Sequence, residues 1–174
     1  MKGAILRLLS VLLAVAVSSL VSAGAHNHQR GEKSFGPRVG YVTRNASAYG
    51  GLSFEYQLSS VVRLAPKLGL IFRNKDMDGL KVDVDVQFPL DLAVGKACFY
   101  PLAGVSFTSW NRHGVHDENN DKDVTTHTNQ WGLNAGLGFE YRVNHTLKLS
   151  LEGEYTLMKH LPGAFVTAGI AFCF

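Results

Sequence analysis

The sequence predicts an all-β chain that closes into an eight-stranded antiparallel up-and-down barrel. The main observation is a period of two: from Phe35 to Phe174, apolar side chains alternate with polar ones, and the 3.6-residue helical repeat is not seen. A second is that turn-forming residues interrupt this alternation at short, regular intervals. Composition is the third. Eighteen glycines, ten Phe, six Tyr and only five prolines in 174 residues suit a β-rich chain with many turns. With 46% apolar and 18% charged residues, disordered and coiled-coil chains are excluded.

The first element lies outside the fold. Met1–Ala25 reads as a secretory signal peptide: Lys2 and Arg7 form a positive start, Leu8–Val17 is an apolar run, and Ala23-Gly24-Ala25 is a small-residue cleavage site. The run is too short for a membrane-spanning helix, which needs about 18 apolar residues or more. Residues 26–34 form a short polar segment, and 35–174 the barrel domain. Without Lys2 and Arg7, 15 basic residues face 14 acidic ones. No basic patch is left to argue for nucleic acid.

The strands follow in order. Phe35–Arg44 sets Val39 and Tyr41 against Arg38 and Arg44. Gly50–Leu58 sets Leu52, Phe54, Tyr56 and Leu58 against Ser53, Glu55 and Gln57. Val62–Arg73 opposes Leu64, Leu68, Leu70 and Phe72 to Arg63, Lys67 and Arg73. Leu80–Phe88 is the clearest, with Leu80, Val82, Val84, Val86 and Phe88 on one face and Lys81, Asp83, Asp85 and Gln87 on the other. Lys96–Trp110 is a strand whose faces are not separable by polarity. Gln130–Val143 opposes Trp131, Leu133, Leu137, Phe139 and Tyr141 to Gln130, Asn134, Glu140 and Arg142. Thr146–Met158 opposes Leu147, Leu149, Leu151, Tyr155 and Leu157 to Lys148, Ser150, Glu152 and Glu154. Ala164–Phe174 closes the chain with Val166, Ile170, Phe172 and Phe174 on one face. An even number of strands puts both ends of the meander at the same end of the barrel. The longest and most polar connection, Asn111–Asn129, belongs to the opposite end.

The solvent around the barrel decides which face points inward. Five apolar side chains per strand match the 9–11 tilted residues of a membrane-crossing strand. Tyr41, Tyr56, Phe72, Phe88, Trp131, Tyr141 and Tyr155 lie towards strand ends, as interfacial aromatics do. A closed barrel is also the sheet that pairs all its backbone groups in lipid. The fold class is therefore a transmembrane β-barrel. Its interior is expected to hold Arg38, Arg44, Glu55, Arg63, Lys67, Arg73, Lys81, Asp83, Asp85, Glu140, Arg142, Lys148, Glu152 and Glu154 as a paired charge network. An eight-stranded barrel has room for side chains and little else. The alternative is a soluble, lipocalin-like ligand binder with the faces exchanged.

Gly36–Tyr41, Tyr49–Tyr56, Gly136–Arg142 and Phe172–Phe174 carry a resemblance to the small bacterial outer-membrane barrels of the OmpA-transmembrane and OmpX-like class. It covers Phe35–Phe174. The resemblance implies a monomer in the outer membrane of a Gram-negative bacterium, with outer-membrane lipid around it. It also implies that Ile170, Phe172 and Phe174 form a signal read by the barrel-assembly machinery during insertion. Members differ in role, so the fold does not assign an activity.

Chemistry-bearing residues concentrate in the long polar connection: His113, His116, Asp117, Glu118, Asp121, Asp123 and His127. Asp117, Asn119 and Asp121 imitate the start of a calcium loop, but Lys122 stands where the turn glycine belongs and Thr128 where the bidentate glutamate belongs. No metal or cofactor is expected there. A surface loop of this kind suits contact with a host or cell-surface ligand. His127-Thr128-Asn129 with Glu140 superficially resembles the signature of the lipid A deacylase barrels. Asn129 stands in place of the serine nucleophile, and Glu140 belongs to the opposite face from His127. No catalytic residue is assigned. A small-ion pore is a further alternative, set against a lumen full of charges. Cys98 and Cys173 lie three strands apart, which argues against a bridge at about 4.8 Å per strand.

Overall fold

The computed structural model describes residues 30–92, 96–117, 122–159 and 161–174; for 114–117 and 122–125 it describes the backbone path. The leader Met1–Ala25, residues 26–29 and Asp121 lie outside the described residues. Among the described residues nine strands occur in order: β1 (Lys33–Val42), β2 (Ser47–Ser59), β3 (Val62–Asn74), β4 (Met77–Gln87), β5 (Leu90–Asp91), β6 (Ala97–Asp117), β7 (Lys122–Arg142), β8 (Leu147–Met158) and β9 (Gly163–Cys173). Eight are long. The ninth, β5, is a two-residue stub on β6 within the connection expected at Pro89–Gly95.

Every pairing is antiparallel, and the sheet runs β4-β3-β2-β1-β9-β8-β7-β6 with β4 returning to β6. It is a closed eight-stranded up-and-down barrel, sealed by β1 against β9 with Phe35 opposite Phe172. The ends of the described residues, Arg30 and Phe174, lie at one end, called here the terminal end. The β6–β7 hairpin marks the other.

The burial pattern follows the alternation of the sequence. On β4, Lys81, Asp83, Asp85 and Gln87 point inward and are buried, while Leu80, Val82 and Val84 point outward. The same holds around the wall, so the outside is a belt of leucine, valine and aromatic side chains; Trp131 is 74% exposed and Leu133 61%. Water would not tolerate so continuous an apolar surface on a monomer. The lipocalin-like alternative, which needs the apolar stripes inside, is therefore wrong. Strand β6 explains its own illegibility: its inward residues include Cys98, Tyr100, Leu102, Ser106, Thr108 and Trp110, uncharged and largely apolar. Polarity does not separate its two faces because its lumenal side carries no charge and is itself largely aromatic and aliphatic.

The expected polar loop Asn111–Asn129 is corrected. Strands β6 and β7 are 21 residues each and pair through it, from Asn111 opposite His127 to Asp117 opposite Lys122. Alternation fails as a guide here because the segment is polar at nearly every position.

Candidate functional site

Two regions collect the polar chemistry, the lumen and the hairpin end. In the lumen, Arg38, Glu55, Arg63, Lys67, Lys81, Asp83, Asp85, Glu140, Lys148, Glu152 and Glu154 are all buried. They form two knots. Near the terminal end, Arg63 meets Glu140 at 2.7 Å and Glu55 at 3.3 Å, and Lys148 meets the same two carboxylates at 3.1 and 2.5 Å. Towards the hairpin end, Lys67 holds Glu152, Glu154 and Asp85, while Lys81 holds Glu154 and Asp83 at 2.6 Å each. Arg38 reaches Glu152 at 3.3 Å. Gln87 joins the knots: it accepts from Arg63 Nε at 2.7 Å and donates to Glu152 at 3.4 Å.

Three expected members do not join. Arg44 lies in the turn after β1 and Arg73 beyond a register shift at the end of β3; both are exposed, and Arg73 pairs with Asp76. Arg142 is half-buried at the terminal rim, 2.5 Å from Glu32. All three would point inward by alternation, but they sit at or just beyond strand ends, where the wall no longer encloses them. The buried set is thus five cations against six carboxylates, instead of eight against six.

The lumen is filled. Spaces among the ionic side chains are about 10 Å³ each, room for one water at most. Above the upper knot sits an apolar lid of Val42, Tyr49, Ile71, Trp110, Leu161 and Phe165. Tyr49 meets Phe165 edge-on, with ring centroids 5.9 Å apart, and Lys81 Nζ lies 4.5 Å from the centre of the Phe165 ring. The lid was not legible in the sequence, because its members come from five separate segments. Lower down, Tyr100 donates to Glu152 at 3.2 Å and carries Arg63 at 4.9 Å over its ring.

At the hairpin end, β4 pairs with β6 up to Met77 and Arg112, and β8 with β7 up to Met158 and Gly132. Beyond these points β6 and β7 continue as a two-stranded ribbon. Its outward residues change from apolar to polar above Phe107 and Trp131, whose rings lie 5.1 Å apart. Eight steps from Ser109 to Asp117 at about 3.3 Å, tilted by about 40°, carry the ribbon on the order of 20 Å past the apolar belt. From Lys122 to Trp131, β7 has no strand partner on its β8 side among the described residues.

The ribbon is braced at its root. Asp78 of β4 accepts from His113 Nε2 at 2.5 Å and from Asn111 Nδ2 at 2.9 Å, and His127 Nδ1 donates to Asn111 Oδ1 at 2.7 Å. Burial raises the Asp78 carboxyl, but the bonds from Asn111 and His113 outweigh it and hold the group below its ordinary value. His113 and His127, two of the expected surface residues, thus meet in one chain of bonds. Asp78 and Asn111 were missed, since only the β4–β6 register puts them side by side. His116, Asp117 and Asp123 lie on the ribbon's backbone further out. Among the described residues no cluster of ligating side chains could hold a metal ion.

Glu140 is buried in the lumen and His127 is exposed outside the wall, so the pair that resembled a lipid A hydrolase site does not come together. Cys98 and Cys173 are free and buried. Ile170, Phe172 and Phe174 all point outward on or just beyond β9, and Phe174 exchanges two backbone bonds with Lys33.

No protein-family model matches the chain, and no curated protein matches it in sequence. Solved structures do match. The N-terminal β-barrel domain of Pseudomonas aeruginosa OprF aligns with a TM-score of 0.69 at 14% identity, over 84% of this chain and 100% of that one. Neisserial surface protein A gives 0.63 at 14%, over 82% and 96%. Ail, the attachment invasion locus protein of Yersinia pestis, gives 0.59 at 13%, over 84% and 100%. At these identities the likeness is one of fold, and the fold is that of the small outer-membrane β-barrels.

Proposed function

We propose that this chain is an integral outer-membrane barrel of a Gram-negative envelope, exported through the periplasm. In this reading it is a monomer with a structural and surface-interaction role. The β6–β7 ribbon faces out of the cell and meets a host or cell-surface ligand. The observation that carries the reading is the inside-out barrel, with an apolar belt facing lipid, a filled lumen and a polar ribbon standing clear of the belt. A belt of this kind is stable in a bilayer and not in water. Over residues 122–131 the β8 side of β7 has no strand partner among the described residues, and an extended segment of a partner could bond there. The named surface proteins among the similar folds support the reading without assigning a ligand. A pore is less well supported, because the lumen has no continuous space.

The test has two stages. Membrane-fraction protein is run in SDS with and without boiling; a shift on boiling is expected, and an unshifted, soluble protein overturns the barrel reading. Cells expressing the chain without residues 114–125 are then compared with wild type for attachment to a host-cell layer. Reduced attachment by a variant that still shows the heat shift supports the role of the ribbon. Undiminished attachment overturns it.

A further inference from the structure

At the hairpin end, between the apolar lid and the base of the ribbon, lies an open cavity of about 450 Å³. Its floor is Trp110, Met77 and Leu161. Its walls carry Arg44 from the β1–β2 turn, Arg112 from β6, and Thr126, Thr128 and Gln130 from β7. Among the described residues, the charges on this lining are the two guanidiniums. Both side chains are exposed, and neither has a carboxylate partner among the described residues.

A guanidinium can only donate, and Trp110, 2% exposed, closes the apolar floor. The threonine hydroxyls adapt to either role. The cavity therefore presents donors and positive charge above an apolar floor, and what complements it is an oxyanion on a compact body. A guanidinium favours carboxylate and sulfate because its planar fork matches their paired oxygens. The volume exceeds what a bare inorganic ion needs and falls within the roughly 300–1,000 Å³ usual for small-ligand sites.

We infer that this cavity is a binding site for a small organic anion, a carboxylate or sulfate carried on a body the size of one or two sugar rings. Arg44 and Arg112 clamp the oxyanion, and Trp110, Met77 and Leu161 support the body. The inference rests on the surface-interaction reading only for which end faces outward, since binding itself is a property of the purified barrel.

Trp110 supplies the measurement, because the chain has two tryptophans and the other, Trp131, faces the lipid. The Trp131→Phe protein in an uncharged polyoxyethylene detergent is titrated with sodium glucuronate at constant ionic strength, following Trp110 emission. A saturable change is expected. It should weaken at least tenfold in Arg44→Gln/Arg112→Gln and persist in Lys33→Gln/Lys96→Gln, which loses the same charge at the terminal end. A boiling shift in SDS confirms that each variant is folded. Sodium sulfate is the second probe: a response equal to that of glucuronate assigns the site to free inorganic oxyanions, and a response to glucuronate alone assigns it to anionic sugars. The inference is overturned by no saturable change with either anion, by an equal response to neutral methyl glucoside, or by undiminished binding in the double arginine variant. None of those results touches the attachment experiment, so the two readings fail separately.

Discussion

The Arg63 guanidinium meets the Glu140 carboxylate at 2.7 Å across the lumen, from strands β3 and β7, which are not neighbours in the sheet. The bond ties opposite parts of the wall together. It also makes Arg63 a shared cation of Glu140 and Glu55, as Lys148 is.

Arg63→Met should therefore destabilise the barrel by about 3–5 kcal/mol, the usual cost of leaving a buried charge short of its partner. Arg63→Met/Glu140→Met should recover much of that loss, because Glu55 and Lys148 still balance. Urea unfolding of the refolded protein in lipid vesicles measures both. A double variant as unstable as the single one would show that the ion pair itself, and not charge balance, holds the lumen.

Tyr100 lies flat over Gly138 of β7, and any side chain there would enter its ring. Gly138→Val should cost about 1–3 kcal/mol through overpacking. Adding Tyr100→Ala should relieve the clash while opening a void, so the double variant should be more stable than the sum of the single losses predicts. Additive losses in the same unfolding assay would contradict the packing described. Tyr49 over Gly69 repeats the arrangement between β2 and β3.

The filled lumen predicts a silent bilayer. Purified protein inserted in a planar membrane should give no steady, resolved conductance steps, since the spaces between the ionic knots hold single waters. Reproducible steps from the wild-type chain would mean that the knots rearrange into an open state.

The brace at the ribbon's root predicts an acid response. The Asp78 carboxyl sits below its ordinary value in the folded chain, so its contribution is complete above the unfolded value, about 3.9. It is lost as pH falls through the lower, folded value. Exchange protection of the His113 amide, which donates to the Asp76 carbonyl at 2.8 Å, should hold from neutrality to about pH 4 and fall below that. Asp78→Asn should lower the protection at neutral pH. Equal protection in both proteins at pH 6 would remove Asp78 from the brace.

By itself, the sequence determined the strands, the closed barrel and its inside-out polarity. These follow from local alternation, since a period of two sorts side chains to opposite faces wherever a strand forms. Leu80–Phe88 shows it plainly, with valines out and Lys81, Asp83 and Asp85 in. What lay beyond local pattern was decided by the tertiary structure. Arg44, Arg73 and Arg142 follow the lumenal parity yet stay out of the network, because the height of the wall is set by pairing between strands. The register of β4 against β6 puts Asp78 beside Asn111, and closure of the barrel brings Arg44 and Arg112 to one cavity. The hairpin emerged only with the fold, since cross-strand backbone bonds hold its strands together where the sequence is polar at nearly every position and alternation carries no signal.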